Sequence, residues 1–268
     1  MNALHHIHQK SEGDAGFEMN TINKVNIARQ IANGMNYLTS EPRRIIHRDL
    51  KSPNVFITDG VSVKIGDFGL ATKVGNQSSD CVAGSVLWMS PQICSFSKKR
   101  RDSRTLKASI KSGQSSLVTQ AKAEEVYCEK SDVYAFGVIL YELFLEELPY
   151  KNIDHGQIIL FRVGMGSLKL YDELEKVLED SDNKKLLPPA IKLGIKFCCE
   201  FEVDARPAFE SVAGLLNSIH EILQQDMMIE GPLKVCHDFH DMCDCLEPEF
   251  RLIRESLKGM ESWQKLDN

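Results

Sequence analysis

Residues 45–73 read IIHRDLKSPNVFITDGVSVKIGDFGLATK, and no other stretch limits the possible folds so tightly. Within it, NVFITDGVSVKI sets two β-prone runs around Asp59-Gly60, a pair that tight hairpin turns favour because both residues tolerate positive φ. A hairpin there folds the chain back, so Asp67 arrives next to Asn54 although thirteen residues separate them. The polar loop His47-Arg48-Asp49-Leu50-Lys51-Ser52-Pro53-Asn54 is thereby set against a second acid followed by Phe68-Gly69. Glycine at that place gives the backbone the freedom a switching loop needs.

The rest of the chain reads as helices. Residues 21–38 put Ile27, Ile31, Met35 and Leu38 on one stripe. Residues 131–145, SDVYAFGVILYELFL, are apolar nearly all round, the mark of a helix buried in the middle of a domain. Helical patterns recur at about 156–163, 189–201 and 208–225, and the pair Pro188-Pro189 fits a helix start. From Glu247 onward, Phe250, Ile253, Leu257 and Met260 share one face of an expected short terminal helix. The fold class is α+β: mainly helical, with one small β-hairpin at the polar loop. No internal repeat is visible.

Composition excludes several classes. With 268 residues the chain can bury a substantial core, and 43% hydrophobic with 26% charged residues is ordinary for a globular protein. No apolar run approaches the ~20 residues of a membrane span, and MNALHHIHQK lacks the apolar core of a signal peptide. Eight cysteines at irregular spacing read as reduced thiols, which suits the cytoplasm. A net charge of −6 argues against nucleic acid as the main partner. That charge is uneven: Lys98 to Lys111 holds seven basic residues and one acid, a local +6, so the remainder carries −12. The surrounding segment, about 93–125, is rich in Ser, Lys and Arg and reads as a flexible basic insert. Lys98-Lys99-Arg100-Arg101-Asp102-Ser103 reads as a solvated loop, with a basophilic phosphorylation site at Ser103 or a nuclear-localisation patch as the functional alternatives. Cys236, His240, Cys243 and Cys245 invite a zinc reading, but their tight C-x-C spacing without a second pair favours an accidental cluster.

The polar loop has a chemistry of its own. Phosphoryl transfer asks a protein for positioned carboxylates, an amide for metal and a cation for developing charge, and little covalent work. The loop supplies an acid, a base and an amide, and the hairpin brings the second acid to share metal ions with Asn54. HRDLxxxN and DFG joined by a hairpin are the signature strings of protein kinases.

The sequence resembles the protein kinase fold, and within it the Raf family. The closer likeness lies in FEM (17–19), IIHRDLKS (45–52), VKIGDFGLAT (63–72), GSVLWM (84–89), SDVYAFGVILYEL (131–143), ELPY (147–150) and DARP (204–207). It covers roughly residues 1–225, interrupted by the basic insert. The resemblance implies a mainly α-helical C-lobe over 1–230 and a tail at 231–268. It implies Asp49 as the catalytic base toward a substrate hydroxyl, Lys51 at the γ-phosphate, and Asn54 and Asp67 as Mg²⁺ ligands. Phe56 would floor the adenine of ATP. Lys51, two residues after that base, fits serine/threonine rather than tyrosine transfer, and Ser85 stands where such kinases keep a hydroxyl beside the base. Thr72, Ser78 and Ser79 would lie in the activation segment, with Arg48 placed to pair with a phosphate there. Asp132 would tie the central helix to the loop at His47 and Arg48, and Phe68 and Gly69 would complete the switching turn. His5, His6 and His8 match the family's helix after the hinge rather than a metal tract. The implied partner is a protein substrate, a downstream kinase in a MAP-kinase-type cascade.

The sequence also departs from the family. Only 44 residues precede Ile45, and no V-A-I-K or Gly-rich phosphate loop occurs in them. Gly164-Met165-Gly166 has Lys169 where the third glycine belongs. The expectation is a C-lobe without its N-lobe, with an apolar face around Phe56 and Phe68, weak nucleotide binding and little activity in isolation. A binding module, a scaffold or decoy acting through residues near 154–163, is the alternative. The family's Ala-Pro-Glu reads Ser90-Pro91-Gln92 here. Losing the carboxylate that faces Arg206 costs ~3–5 kcal/mol, and Gln92 accepting a hydrogen bond returns about 1.5 kcal/mol.

Overall fold

Asn20 opens the first helix: its side-chain Oδ1 accepts from the Asn23 N–H at 3.0 Å, satisfying one of the N–H groups a helix start leaves unpaired. The computed structural model describes residues 19–58, 62–75, 84–96, 127–180 and 187–230, with side chains left out at 180 and 225–230. Helix α1 spans Thr21–Thr39 and buries Ile27, Ala28, Ile31, Ala32 and Met35 on the face read from the sequence. Two short strand pairs come after it. Strand β1 (Ile45–Ile46) pairs antiparallel with β4 (Thr72–Lys73), and β2 (Val55–Thr58) pairs antiparallel with β3 (Ser62–Ile65). The second pair is the expected hairpin, with Val55 opposite Ile65 and Thr58 opposite Ser62; residues 59–61 between them lie outside the described residues.

Helix α2, residues 91–96, comes next, then α3 (Glu129–Leu145), α4 (Gly156–Gly164), α5 (Leu170–Asp180), α6 (Pro189–Cys198) and α7 (Phe209–Glu230). Helix α3 is the centre, with every residue from Ser131 to Leu145 buried. Helix α6 packs on it, and α1 packs along α7 while touching α3 and β3. Gly137 lets α6 approach closely: a Cβ there would stand 2.3 Å from Cys199 Sγ and 2.8 Å from Cys198 Cβ. The far end of α3 is tied to α1 by Lys24, whose Nζ lies 2.7 Å from Glu146 Oε1. Pro189 is the first residue of α6, as its fixed φ favours.

Two corrections arise. Residues 93–96, expected to open the flexible basic insert, instead complete α2. Ile93 and Cys94 are buried, and Ser95 Oγ donates to the Gly164 carbonyl at 2.6 Å. Burial of the Ile93 and Cys94 side chains carries the helix into the stretch whose composition reads as polar. Helix α5 is an addition to the expected helices, and its Leu170, Leu174 and Leu178 are all buried. Gly164 closes α4, so Gly164-Met165-Gly166 is a helix end and not a phosphate loop. Residues 97–126, Ser78, Ser79, Ser103, His5, His6, His8, the Cys236–Cys245 cluster and the terminal stripe lie outside the described residues. Among the described residues no helix is long and apolar enough to cross a membrane.

Candidate active site

The site is built where the loop after β1 meets the N-terminal end of α3. Asp132, in the first turn of α3, accepts from two successive backbone N–H groups: His47 at 2.7 Å and Arg48 at 3.0 Å. Burial pushes the Asp132 carboxyl up to about 7, and these two donors together with the Arg48 charge oppose that rise. The clamp holds Arg48 at φ +69, a left-handed conformation costing an ordinary residue ~1–2 kcal/mol. On the other side His47 Nε2 lies 3.0 Å from the Gly66 carbonyl, and its ring meets Phe68 with centroids 5.0 Å apart. Burial holds the His47 pKa below its ordinary value, so the ring is neutral at pH 7 with Nε2 as the donor.

With the loop so fixed, Asp49 becomes a convergence point. Lys51 Nζ lies 2.7 Å from Asp49 Oδ2, and Ser85 Oγ donates to Oδ1 at 3.1 Å. Lys51 Nζ also reaches Ser85 Oγ at 2.8 Å, closing a three-residue ring. Asn54 Nδ2 donates to the Asp49 carbonyl at 2.8 Å and lies 3.4 Å from Oδ2. The carboxylate is 9% exposed, buried but open to a cleft bordered by Gly84, Ser85 and Trp88. A carboxylate so gripped, with a cation and a hydroxyl alongside, can take a proton from an incoming hydroxyl.

The hairpin delivers the second acid. The Gly66 N–H donates to the Asn54 carbonyl at 2.9 Å, and Asp67 follows directly at φ +60. Gly66 lets the Phe56 ring lie close, since a Cβ there would stand 2.6 Å from Phe56 Cε2 and displace the ring. The Asn54 amide is oriented by its Nδ2 bonds, which leaves Oδ1 as an oxygen donor for a cation. The exposed Asp67 carboxylate has no hydrogen-bond donor among the described residues. One amide and one carboxylate fit Mg²⁺, which takes one or two protein oxygens and completes its shell with water and substrate phosphate. Accordingly, no group of three His, Cys, Asp or Glu among the described residues forms a closed metal cage.

A second cluster stabilises the segment after Ser85. Arg206 is fully buried; it donates from Nε to the Glu200 carbonyl at 2.7 Å, from Nη1 to the Lys130 carbonyl at 3.0 Å, and from Nη2 to the Phe201 carbonyl at 3.0 Å. Nη2 also donates to Gln92 Oε1 at 3.0 Å, and Gln92 Nε2 donates to Ser131 Oγ at 3.1 Å. Gln92 therefore reaches Arg206, as expected from the sequence. Burial lowers the Arg206 pKa from its ordinary value.

The sequence also resembles known proteins. The family model "protein tyrosine and serine/threonine kinase" matches residues 3–108 and 117–216. The chain belongs to that kinase family. Among curated kinases it is similar to the serine/threonine-protein kinase A-Raf of mouse and of rat, 34% identical over 227 residues, and equally to that of human. The match takes in 83% of this chain and 30% of each relative, so the chain spans about a third of the length of the curated kinases it matches.

In this kinase fold His47, Arg48, Asp49, Lys51, Asn54, Ser85 and Asp132 form one connected cluster, and Gln92 with Arg206 a second. Phe56 is 52% and Phe68 45% exposed, the apolar surface expected for them, and Leu70 adds to it. Thr72 sits in β4 opposite Ile46. Three participants are not evident from sequence. Tyr127 lies under the Arg48 guanidinium, 4.5 Å from its ring centroid. Glu142 receives hydrogen bonds from Ser52 and from Trp88, the third. A signal for Glu142 exists, as an acid inside an otherwise apolar helix; Tyr127 has none.

Proposed function

We propose that this chain carries the catalytic half of a Raf-like protein serine/threonine kinase, transferring the γ-phosphate of ATP to Ser or Thr of a protein substrate. The carrying observation is the Asp49 carboxylate held between Lys51 and Ser85 within 3.1 Å. In this reading Asp49 accepts the proton of the substrate hydroxyl, and Lys51 steadies the transferred phosphate. Asn54 and Asp67 hold Mg²⁺, which supplies charge neutralisation at the phosphates when bound. Phe56 floors the adenine, and Phe68 and Gly69 form the turn that sets Asp67. Thr72, Ser78 and Ser79 belong to the activation segment. Serine/threonine specificity is supported by Lys51 and by the A-Raf relatives at 34% identity. The substrate is a downstream kinase of a MAP-kinase-type cascade, and the compartment is the cytoplasm, where thiols such as Cys94 and Cys198 stay reduced. A Gly-rich loop and a strand lysine, absent from these 268 residues, are needed to cover ATP.

One observation favours a second reading, a binding module. Ile158, Phe161 and Met165 are 44%, 49% and 59% exposed at helical spacing along α4, a stripe suited to a partner helix. An immunoblot of the endogenous protein with an antibody to residues 246–268 separates the two. A band well above 30.2 kDa supports the catalytic reading. A single band at that mass favours the binding module.

A further inference from the structure

Glu142 is the buried acid that the phosphate-transfer reading leaves unused. It sits in the last full turn of α3 with 2% exposure. Ionised carboxylates are buried only where donors compensate the lost water, and here the donors come from two different segments. Ser52 Oγ donates to Oε2 at 2.7 Å and Trp88 Nε1 donates to Oε1 at 2.6 Å. Each donor belongs to a short 3₁₀ turn, Ser52–Asn54 and Val86–Trp88.

Both turns lead to the same atoms. The first ends in Asn54, whose amide bonds the Asp49 carbonyl at 2.8 Å. The second is closed by the Trp88 N–H on the Ser85 carbonyl at 3.0 Å, and the Ser85 hydroxyl bonds Asp49 Oδ1 at 3.1 Å. The path from Glu142 thus splits and reconverges on Asp49 through well-formed hydrogen bonds. A neutral apolar residue at 142 would fill the space and orient neither turn.

We propose that Glu142 is a positioning residue that sets the catalytic loop and the segment 84–90 in register on either side of Asp49. The inference deepens the kinase reading and depends on it for its functional meaning. Loosening either arm releases the other, because both hang from one carboxylate.

The test is amide hydrogen exchange on the full 268-residue chain, with phosphate transfer assayed in parallel. Glu142→Ala is expected to speed exchange of the Asn54 and Trp88 amides by about tenfold, the loss of one buried hydrogen bond on each turn. Amides of α6 and α7 should hold their wild-type rates. Glu142→Gln can still accept from the indole and donate to Ser52, so it should restore both turns. In the Trp263→Phe background Trp88 is the sole indole, and its ¹H–¹⁵N signal should move in Glu142→Ala and return in Glu142→Gln. Equal acceleration throughout the chain would reduce Glu142 to a packing residue and overturn the proposal, as would unchanged exchange at Asn54 and Trp88. If Glu142→Ala does not fold, Ser52→Ala carries the test: it must speed exchange at Trp88, across the carboxylate, and failure to do so overturns the register claim. Absence of phosphate transfer from the wild-type chain once it is joined to a Gly-rich loop and strand lysine would count against the kinase reading while leaving the exchange result standing.

Discussion

His47 shows how one buried side chain makes stability depend on pH. Burial lowers its pKa in the fold, so the unfolded chain takes up a proton at this ring more readily than the native one. The contribution is fully present above the ordinary value of about 6.5 and is lost as pH falls from there through the lowered native pKa. Asp132, its carboxyl pushed up to about 7, acts with the opposite sign across the same window. The His47 contribution is therefore read as the difference in urea-unfolding stability between wild type and His47→Gln. That difference should shrink as pH falls from about 7.5 to about 5, and a pH-independent difference would refute the assignment. At the second cluster, Gln92→Ala removes an acceptor from buried Arg206 and should cost ~1–3 kcal/mol. Gln92→Glu should move the unfolding midpoint the other way, by about 1 kcal/mol, because a charged acceptor binds a guanidinium more strongly. A destabilised Gln92→Glu would mean that desolvating the carboxylate outweighs the pairing. Much of the site is legible at single positions. Asp49, Lys51, Asn54, Ser85 and Asp132 stand at spacings that carry a known chemistry. Tyr127 and Trp88 do not, because a ring under a guanidinium and an indole on a distant carboxylate leave no periodic trace in sequence.

At the scale of elements, legibility tracks apolar pattern. Helix α3 announces itself by being apolar on every face, and α1 by its stripe, because burial is what those patterns encode. The hairpin is visible in Asp59-Gly60 and two β-prone runs, which β2 and β3 realise as an antiparallel pair. Helix α5 is hard to see although its leucines fall at i, i+4 and i+8, since acidic residues between them mask the stripe. Composition sets the start of the basic segment too early because it averages over residues, whereas Ile93 and Cys94 are individually buried, Cys94 beside Gly164 of α4. Two glycines in helices provide opposite predictions. Gly137→Ala puts a Cβ 2.3 Å from Cys199 Sγ and should cost ~1–3 kcal/mol or more by overpacking. Gly214→Ala, in α7 with nothing within 4 Å of the new atom, should gain up to ~1 kcal/mol from helix propensity. Thermal unfolding of the two variants checks both signs, and a stabilised Gly137→Ala would contradict the close α3–α6 approach.

On the scale of the whole molecule, the polar site and the exposed Phe56 and Phe68 describe a surface built to work against something else. The Asn54 and Asp67 oxygens are too few to retain a metal without phosphate, so metal and nucleotide should bind together. Titration of ADP with and without Mg²⁺ should show metal-dependent affinity that falls at least about tenfold in Asp67→Asn. Metal-independent binding of the same strength would remove Asp67 from the site. The central claim is that Asp49 is the proton acceptor of a kinase. The direct measurement is phosphate transfer from ATP·Mg²⁺ to a serine-containing protein, using the chain joined to the Gly-rich loop and strand lysine of an A-Raf relative. Transfer is expected, and Asp49→Asn should lower it by about 10²–10⁴-fold, the contribution of a positioned general base. Transfer by Asp49→Asn at the wild-type rate would contradict the claim.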